Sequence, residues 1–427
     1  MGGRTSFSVW LHTCVASSLL CVQLAYAEEY RTPLAGEEAH IESFGRLVDV
    51  PARDRRHITA INVGMQWIPD GPHQLEVIPF GVLFVWHNWD AQRVRGSFSG
   101  VVNDIRYNLA PRSWEGWEAV FTFSNFIFPS GRSEYVEGRR ITGVELQWNY
   151  FFAGFGIGYR TLLPPGHQDN ALEVALTYEP GYRWFDRSTN TSPGFVVPSD
   201  TYEGRVHFRL RADMLDRNLM ELAHRGVSFG GDLLSGHRAH WRQWGGVAFD
   251  APDVQREKDY LAASAYAVAA AGVPWVPGER HRLVWSAYGG IGKNLDRFST
   301  FRLPGRPTGY EWEALSLPIL PGVAFNELFP RRYAITDLTY RYEALFFLFP
   351  YIRATYGLVE RPLFADNGTI KMRTDALPAL GGGVVSGAPW SSQIELNYSY
   401  NFRIVRDSDG ELKKRGHGLF IFWSKEF

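Results

Sequence analysis

The feature that most constrains this chain is a strict two-residue alternation of polar and apolar side chains, sustained over segments of ten residues and more. From Gln393 to Ile404 one set reads Gln393, Glu395, Asn397, Ser399, Asn401, Arg403; the other reads Ile394, Leu396, Tyr398, Tyr400, Phe402, Ile404. A strand sends successive side chains to opposite faces, whereas a helix would spread both sets around its circumference. The same pattern recurs at Leu172–Trp184, where Glu173, Thr177, Glu179 and Arg183 oppose Leu172, Val174, Leu176, Tyr178, Tyr182 and Trp184. It recurs again at 143–150, at 205–213 and at 337–343.

A soluble sandwich alternates as well, so length and face chemistry must separate the two. Strands of roughly five or six residues suffice in soluble sheets, while a tilted bilayer crossing needs about nine to eleven. Here one face carries full charges and the other ends in Tyr, Trp and Phe, which suits a wet lumen inside, lipid outside and aromatic girdles at both interfaces. Aromatics make up 15% of the chain and are spread along it. The expected fold is all-β, a single 16-stranded antiparallel transmembrane β-barrel. Leu261 to Val276 is apolar and Ala-rich, so a short buried helix competes with a strand there.

The N-terminus has Arg4, an apolar run from Val9 to Ala27, and Ala25-Tyr26-Ala27 before Glu28-Glu29. That is the layout of a secretory signal peptide with an A-x-A cleavage site, and residues 1–27 are expected to be removed. Both cysteines, Cys14 and Cys21, fall inside it, so no disulfide or thiol chemistry is expected in the exported chain. A net charge of −1 gives no electrostatic argument for nucleic acid.

Turn signals divide the rest into strand cores at 75–88, 96–109, 116–128, 138–150, 152–163, 170–185, 202–213, 226–245, 258–271, 281–292, 298–303, 333–345, 349–360, 376–387, 391–404 and 416–427. The count of sixteen is even, as bacterial barrels require, with 14 and 18 as neighbours. With Phe427 on the periplasmic side, the short connections at Phe151, Leu348 and Ala388-Pro389-Trp390 become periplasmic turns, and 304–332 becomes a long extracellular loop. The connection 186–201 then falls on the periplasmic side, and His57 to Ile68 offers an additional strand. The expected domains are the signal peptide (1–27), an N-terminal extension (28–74) whose residues 28–56 can lie in the lumen, and the barrel (75–427).

Several residues invite chemistry. The ladder Arg205, His207, Arg209, Arg211 would line the lumen, either favouring anions in a pore or pairing with Glu173 and Glu179 on the next strand. Pairing is the preferred reading. Asp337, Arg341 and Glu343 would add further lumen charges. Gly226-Val227-Ser228-Phe229-Gly230 matches the nucleophile elbow in letters but lacks its strand-turn-helix setting. His237 and His240 lack a third ligand cluster. No enzyme activity, metal or cofactor is expected.

The end of the chain, His417 to Phe427, is an aromatic-rich strand closing on Phe; it resembles the terminal signal by which outer-membrane barrels are recognised for insertion, with Lys425 at a position where that pattern prefers an apolar residue. The run Phe301-Arg302-Leu303-Pro304-Gly305-Arg306-Pro307-Thr308-Gly309-Tyr310, the long loop after it and the Tyr-Arg strand Arg332 to Glu343 together resemble the BamA-like bacterial surface antigen superfamily. The resemblance covers about the last 130 residues. It implies a cell outer-membrane location, contact with outer-membrane lipid, handling by the barrel-assembly machinery, a monomer, and a role in membrane biogenesis or transport.

In that family an arginine of the sixth extracellular loop pairs in the lumen with an aspartate on the wall. By alignment these fall at Thr308 and Thr355, so both partners are replaced together, and Arg306 is the remaining candidate. The chain has no room for the periplasmic polypeptide-transport-associated modules, which makes it a barrel-only member. Gly305, Arg306, Gly309 and Tyr310 are accordingly expected to fold back into the lumen, with Arg306 meeting Asp337 or Glu343. A passive or structural pore is the alternative, and a lipid hydrolase a more distant one.

Overall fold

The computed structural model describes residues 30–43, 45–69, 77–137, 139–165, 170–245, 257–303, 315–324, 327–364, 370–390, 392–408 and 411–427. It opens with a hairpin, β1 (Ala39–Ser43) and β2 (Arg46–Val50), outside the main sheet. The first wall follows in β3 (His57–Trp67), β4 (Val77–Asn88), β5 (Gln92–Phe98), β6 (Val102–Leu109) and β7 (Trp117–Phe126). A two-residue pair, β8 (Tyr135–Val136) and β9 (Arg139–Arg140), sits in a loop. Then come β10 (Val144–Leu162), β11 (Ala171–Thr191), β12 (Thr201–Arg217), β13 (Ala223–Arg238), β14 (Asp259–Gly272) and β15 (His281–Lys293). The last strands are β16 (Arg332–Tyr342), β17 (Leu348–Phe364), β18 (Ile370–Ala388), β19 (Ser392–Ser408) and β20 (Glu411–Glu426).

Sixteen of these close into one antiparallel barrel, from β3 to β7 and β10 to β20, with β20 paired to β3. Among the described residues the only helical turn is a 3₁₀ turn at Arg112–Trp114. Several strands point their polar set inward, while β4 and β14 turn Phe84, Trp86, Tyr266 and Val268 to the lumen. On β12, Arg205, Arg209 and Arg211 face the lumen while Val206 and Phe208 are exposed outside; on β10 the exposed set is Phe151, Phe155 and Ile157. A Phe or Leu left in water forgoes roughly 1.5–3 kcal/mol, so an exterior of this kind is stable only against lipid. At the end of the barrel where β20 finishes, Trp89, Trp114, Trp117, Trp275, Trp390 and Phe427 project outward. At the other end Tyr182, Trp184 and Tyr202 form a stacked group. These are the two interfacial girdles.

Strand parity puts 127–143, 192–200, 239–258 and 294–331 at one end, opposite the short connections 89–91, 343–347 and 389–391. Long loops are extracellular and short turns periplasmic in such barrels, so Tyr30 and Phe427 both lie on the periplasmic side.

The strand count agrees with the sequence, but by compensation. The barrel begins at His57 rather than at residue 75, because β3 fills the place between β20 and β4. The segment 96–109 belongs to two strands: Ser99-Gly100 makes a turn in which Gly100 has φ +81° and the Ser99 N–H donates to Val102 O. Conversely 138–150 and 152–163 are one strand, since Phe151 is an outward residue in the middle of β10 and no turn interrupts it. Residues 298–303 form no strand; Asp296 Oδ1 accepts the N–H groups of Phe298 and Ser299 and turns the chain. The connection after β11 is extracellular, because the loss of a strand at 298–303 reverses the direction of every strand before it. Leu261 to Gly272 is strand, within β14.

One strand changes phase. Between Asn401 and Val405 the register of β19 with β20 shifts, and Asn401 Oδ1 accepts the N–H groups of Arg403 and Ile404, at 3.1 and 3.0 Å. After this bulge Ile404 and Arg406 point into the lumen and Arg403 points out, the reverse of what unbroken alternation gives.

Candidate functional site: a loop anchored in the lumen

The connection between β15 and β16 enters the barrel and is held there at both ends. At its start Arg238, fully buried on β13, donates to Asp296 at 2.6 and 3.2 Å and to Glu203 at 3.3 Å. Arg183 and the Tyr260 hydroxyl also donate to Glu203. Every charge in this cluster is paired, which is what allows it to be buried. Phe298 follows and packs among Trp148, Phe185, Trp241 and Trp244, filling the extracellular half of the lumen.

The returning part of the loop lies on the wall at the β19 bulge. Gly322 N–H donates to Ser399 Oγ at 3.0 Å, Asn401 Nδ2 donates to Pro321 O, and Gln66 Nε2 donates to Val323 O. Arg406, turned inward by the bulge, donates to Gly322 O and to both oxygens of Glu327, at 2.7 Å and 3.1 Å for the carboxylate. Only glycine fits at 322: its φ is +74°, and an added Cβ would lie 2.2 Å from Gly416 O. Leu315, Leu320 and Val323 are buried with Tyr266, Tyr288 and Ile335 of the wall.

Beneath the loop a cavity of about 80 Å³ is lined by Ser316, Trp86, Ala171, Arg95, Glu173, Arg209, Arg211 and Arg217, with Arg55 on its periplasmic side.

The residues marked in the sequence are distributed as follows. Gly305, Arg306, Gly309 and Tyr310 lie outside the described residues, as does Thr308. Arg205 donates to Glu179 at 2.7 Å, and Arg211 to Asp232 at 2.6 Å, with His207 between the two acids; the ladder is paired across strands, and Arg209 lines the void beside it. Glu173 pairs with Arg160 at 3.3 Å. Asp337 lies 3.7 Å from Arg353 and is directly opposite Thr355. Arg341 donates to Ala223 O at 3.0 Å. Glu343 sits at the periplasmic rim and accepts the hydroxyls of Tyr30 and Thr32. Phe427 N–H donates to Thr59 O, adding a last bond to the β20–β3 seam, and Lys425 lies over its ring.

Ser228 is buried in mid-strand and donates to Ala212 O at 3.1 Å, which is not the geometry of a nucleophile elbow. His237 faces Asp259, and His240 uses its backbone N–H on Thr201; among the described residues no group of three metal-ligating side chains occurs. Sequence reasoning missed Glu327, Arg406 and Gly322, whose roles depend on a bulge that alternation alone does not reveal.

A closed sixteen-stranded wall with an apolar exterior, a charged interior and an extracellular loop packed in its lumen defines a transmembrane β-barrel of the outer-membrane kind. Its fold is that of BamA from Haemophilus ducreyi lacking POTRA domains 1-3, over 92% of this chain and 75% of that one, at TM-score 0.50 and 9% identity. CdiB from Acinetobacter baumannii aligns with 89% of this chain at TM-score 0.49 and 12% identity, and CdiB from Escherichia coli with 92% at 0.49 and 12%. The chain spans 61% of the length of the Acinetobacter protein and 68% of the Escherichia one. No family model matches the sequence, and no curated protein does.

Proposed function

We propose that this chain is an outer-membrane biogenesis or transport barrel, closed at rest by its sixth extracellular loop, and without enzymatic activity. The observation that carries the reading is the Glu327–Arg406 pair, which ties the loop to an inward-turned wall residue. A loop tied into the lumen by an ion pair supports a barrel that is sealed until cargo arrives over a wide-open pore. The pair also supports a superfamily-type role by a different route: the loop supplies the acid and the wall the base, where the resemblance led one to expect the opposite polarity at Thr308 and Thr355. Outer-membrane lipid and the barrel-assembly machinery are its expected partners.

Single-channel recording of the refolded barrel tests this. The expected trace is closed with brief openings, and Glu327→Gln should raise the open fraction. A steady open conductance in the unaltered protein would favour the passive pore instead.

A further inference from the structure

The periplasmic mouth is crossed by the chain's own N-terminal segment. Going from Tyr30, the Tyr30 ring lies under Arg280 and its hydroxyl reaches Glu343. The Thr32 N–H donates to Glu279 at 2.9 Å. Leu34 forms an antiparallel bridge with Asn218, and the Ala35 N–H donates to Arg217 O. The segment thus runs past the turns after β16, β14 and β12 in order. It leaves as the exposed β1–β2 hairpin and returns at Arg53 to Arg56.

The returning part spans the mouth. Arg55 grips Glu221 through both nitrogens, and Arg53 joins the same carboxylate to Glu426. Glu221 stands in the turn between β12 and β13, Glu426 at the end of β20, half-way round the ring. Arg55 also lines both this cavity and a second, more open pocket formed by Asn88, Asp90, Arg93 and Arg160, and so stands between them. This cavity is the chamber of the barrel interior, with Ser316 of the extracellular loop on one side of it and Arg55 of this segment on the other.

The contacts are those of an extended peptide in a groove: one β-bridge, backbone N–H groups on carboxylates or carbonyls, and two arginines on acids. They bury little apolar surface, unlike the loop above. Segments tied to a rim by discrete polar contacts open at a lower free-energy cost than the hydrogen-bonded wall. We propose that the periplasmic mouth is a docking groove for an extended, arginine-bearing polypeptide, occupied at rest by residues 30–56 as a displaceable strap. A cargo or partner segment with the same chemistry would displace the strap and reach the chamber.

The test uses a reporter inside the chamber. Ala171 lines the void and is 6% exposed, and both native cysteines lie within residues 1–27, so Ala171→Cys is the sole thiol of the refolded barrel. A membrane-impermeant maleimide should label it slowly. Adding Arg53→Gln with Arg55→Gln should accelerate labelling about tenfold or more, since charge-assisted hydrogen bonds contribute at that level. A synthetic peptide of residues 30–56 added to this variant should restore protection, and the same peptide with glutamine at 53 and 55 should not.

A control removes the objection of misfolding. Leu34 and Asn218 are directly opposed, and such pairs have Cα atoms about 4.5–5.5 Å apart, within reach of a disulfide. Leu34→Cys with Asn218→Cys in the double-glutamine background should protect residue 171 when oxidised and release it on reduction, with labelled positions resolved by peptide mass mapping. Equal labelling with and without the two arginines, or a peptide without effect, would overturn the proposal and make residues 30–56 a fixed part of the wall. Either result leaves the loop reading intact, because the bonds that hold the loop to Ser399, Asn401 and Arg406 involve no residue of the segment 30–56.

Discussion

Glu327 and Arg406 face each other inside the barrel as an ion pair whose acid comes from the loop and whose base comes from the wall. Both side chains are almost fully shielded, and Arg406 also holds Gly322 O. Removing one member of such a pair leaves the other charge buried and alone, which costs roughly 3–5 kcal/mol. Arg406→Gln and Glu327→Gln should each lower the temperature at which the barrel loses its compact, heat-modifiable form. The exchange Glu327→Arg with Arg406→Glu should recover part of the loss. Equal stability of all three variants would mean that the loop is not held by this pair.

Gly322 offers a test of the same loop without any change of charge. Its positive φ and its approach to Gly416 O exclude a side chain. Gly322→Ala should cost about 1–3 kcal/mol of strain and lift the loop from the β19–β20 wall, giving a larger open fraction in single-channel recordings. Alanine at Gly45, also at positive φ but with nothing within 4 Å, should leave the recordings unchanged.

The wall was legible in the sequence because alternation is imposed locally by the pleat: β11, β12 and β16 place the expected residues on the expected faces. What alternation cannot show is where it breaks. The bulge at Asn401 is two residues of extra chain closed by an asparagine side chain, and it decides that Arg406 rather than Arg403 enters the lumen. The split at Ser99-Gly100 and the unbroken run through Phe151 depend on tertiary pairing that a turn dipeptide or an aromatic cluster signals only weakly. The strap is less legible still, because Tyr30, Thr32, Arg53 and Arg55 acquire meaning only from Glu221, Glu279 and Glu343 on three separate turns.

The strap should also respond to pH, in opposite directions over two ranges. Burial, with Glu426 adding repulsion, pushes the Glu221 carboxyl up to about 7 despite Arg55 and Arg53. A carboxyl raised in the closed state takes up a proton on closing, so closure gains as pH falls from about 7 toward the ordinary carboxylate range. Glu279 behaves oppositely: the His224 ring 3.7 Å away and the Thr32 N–H, working against partial burial, hold it down at about 2. Its contribution is present above the ordinary range and is lost as pH falls through it toward 2. Protection of a cysteine at 171 should therefore pass through a maximum between these ranges. With Glu221→Gln the rise on the alkaline side should vanish while the acid-side loss remains; a monotonic profile in the unaltered protein would contradict the assignment.

The last expectation concerns insertion. Phe427 is exposed at the periplasmic girdle, its N–H donates to Thr59 O, and Lys425 lies 5.0 Å from its ring centroid. That stacking accounts for a lysine at a position where an apolar residue is preferred: its stem and charge cover the ring at the level where lipid meets water. Leu419, Ile421 and Trp423 continue the outward face of β20, while Phe420 and Phe422 stack inside. Deleting Phe427 removes the terminal ring and the last bond of the seam but leaves the alternation of the strand. Export to the periplasm should be unchanged, and the fraction recovered as folded, heat-modifiable barrel in the outer membrane should drop. Phe427→Leu, which keeps an apolar terminal side chain and the backbone bond, should insert better than the deletion. Insertion of the deletion variant at the level of the unaltered chain would show that β20 is recognised by its face alone, without the terminal residue.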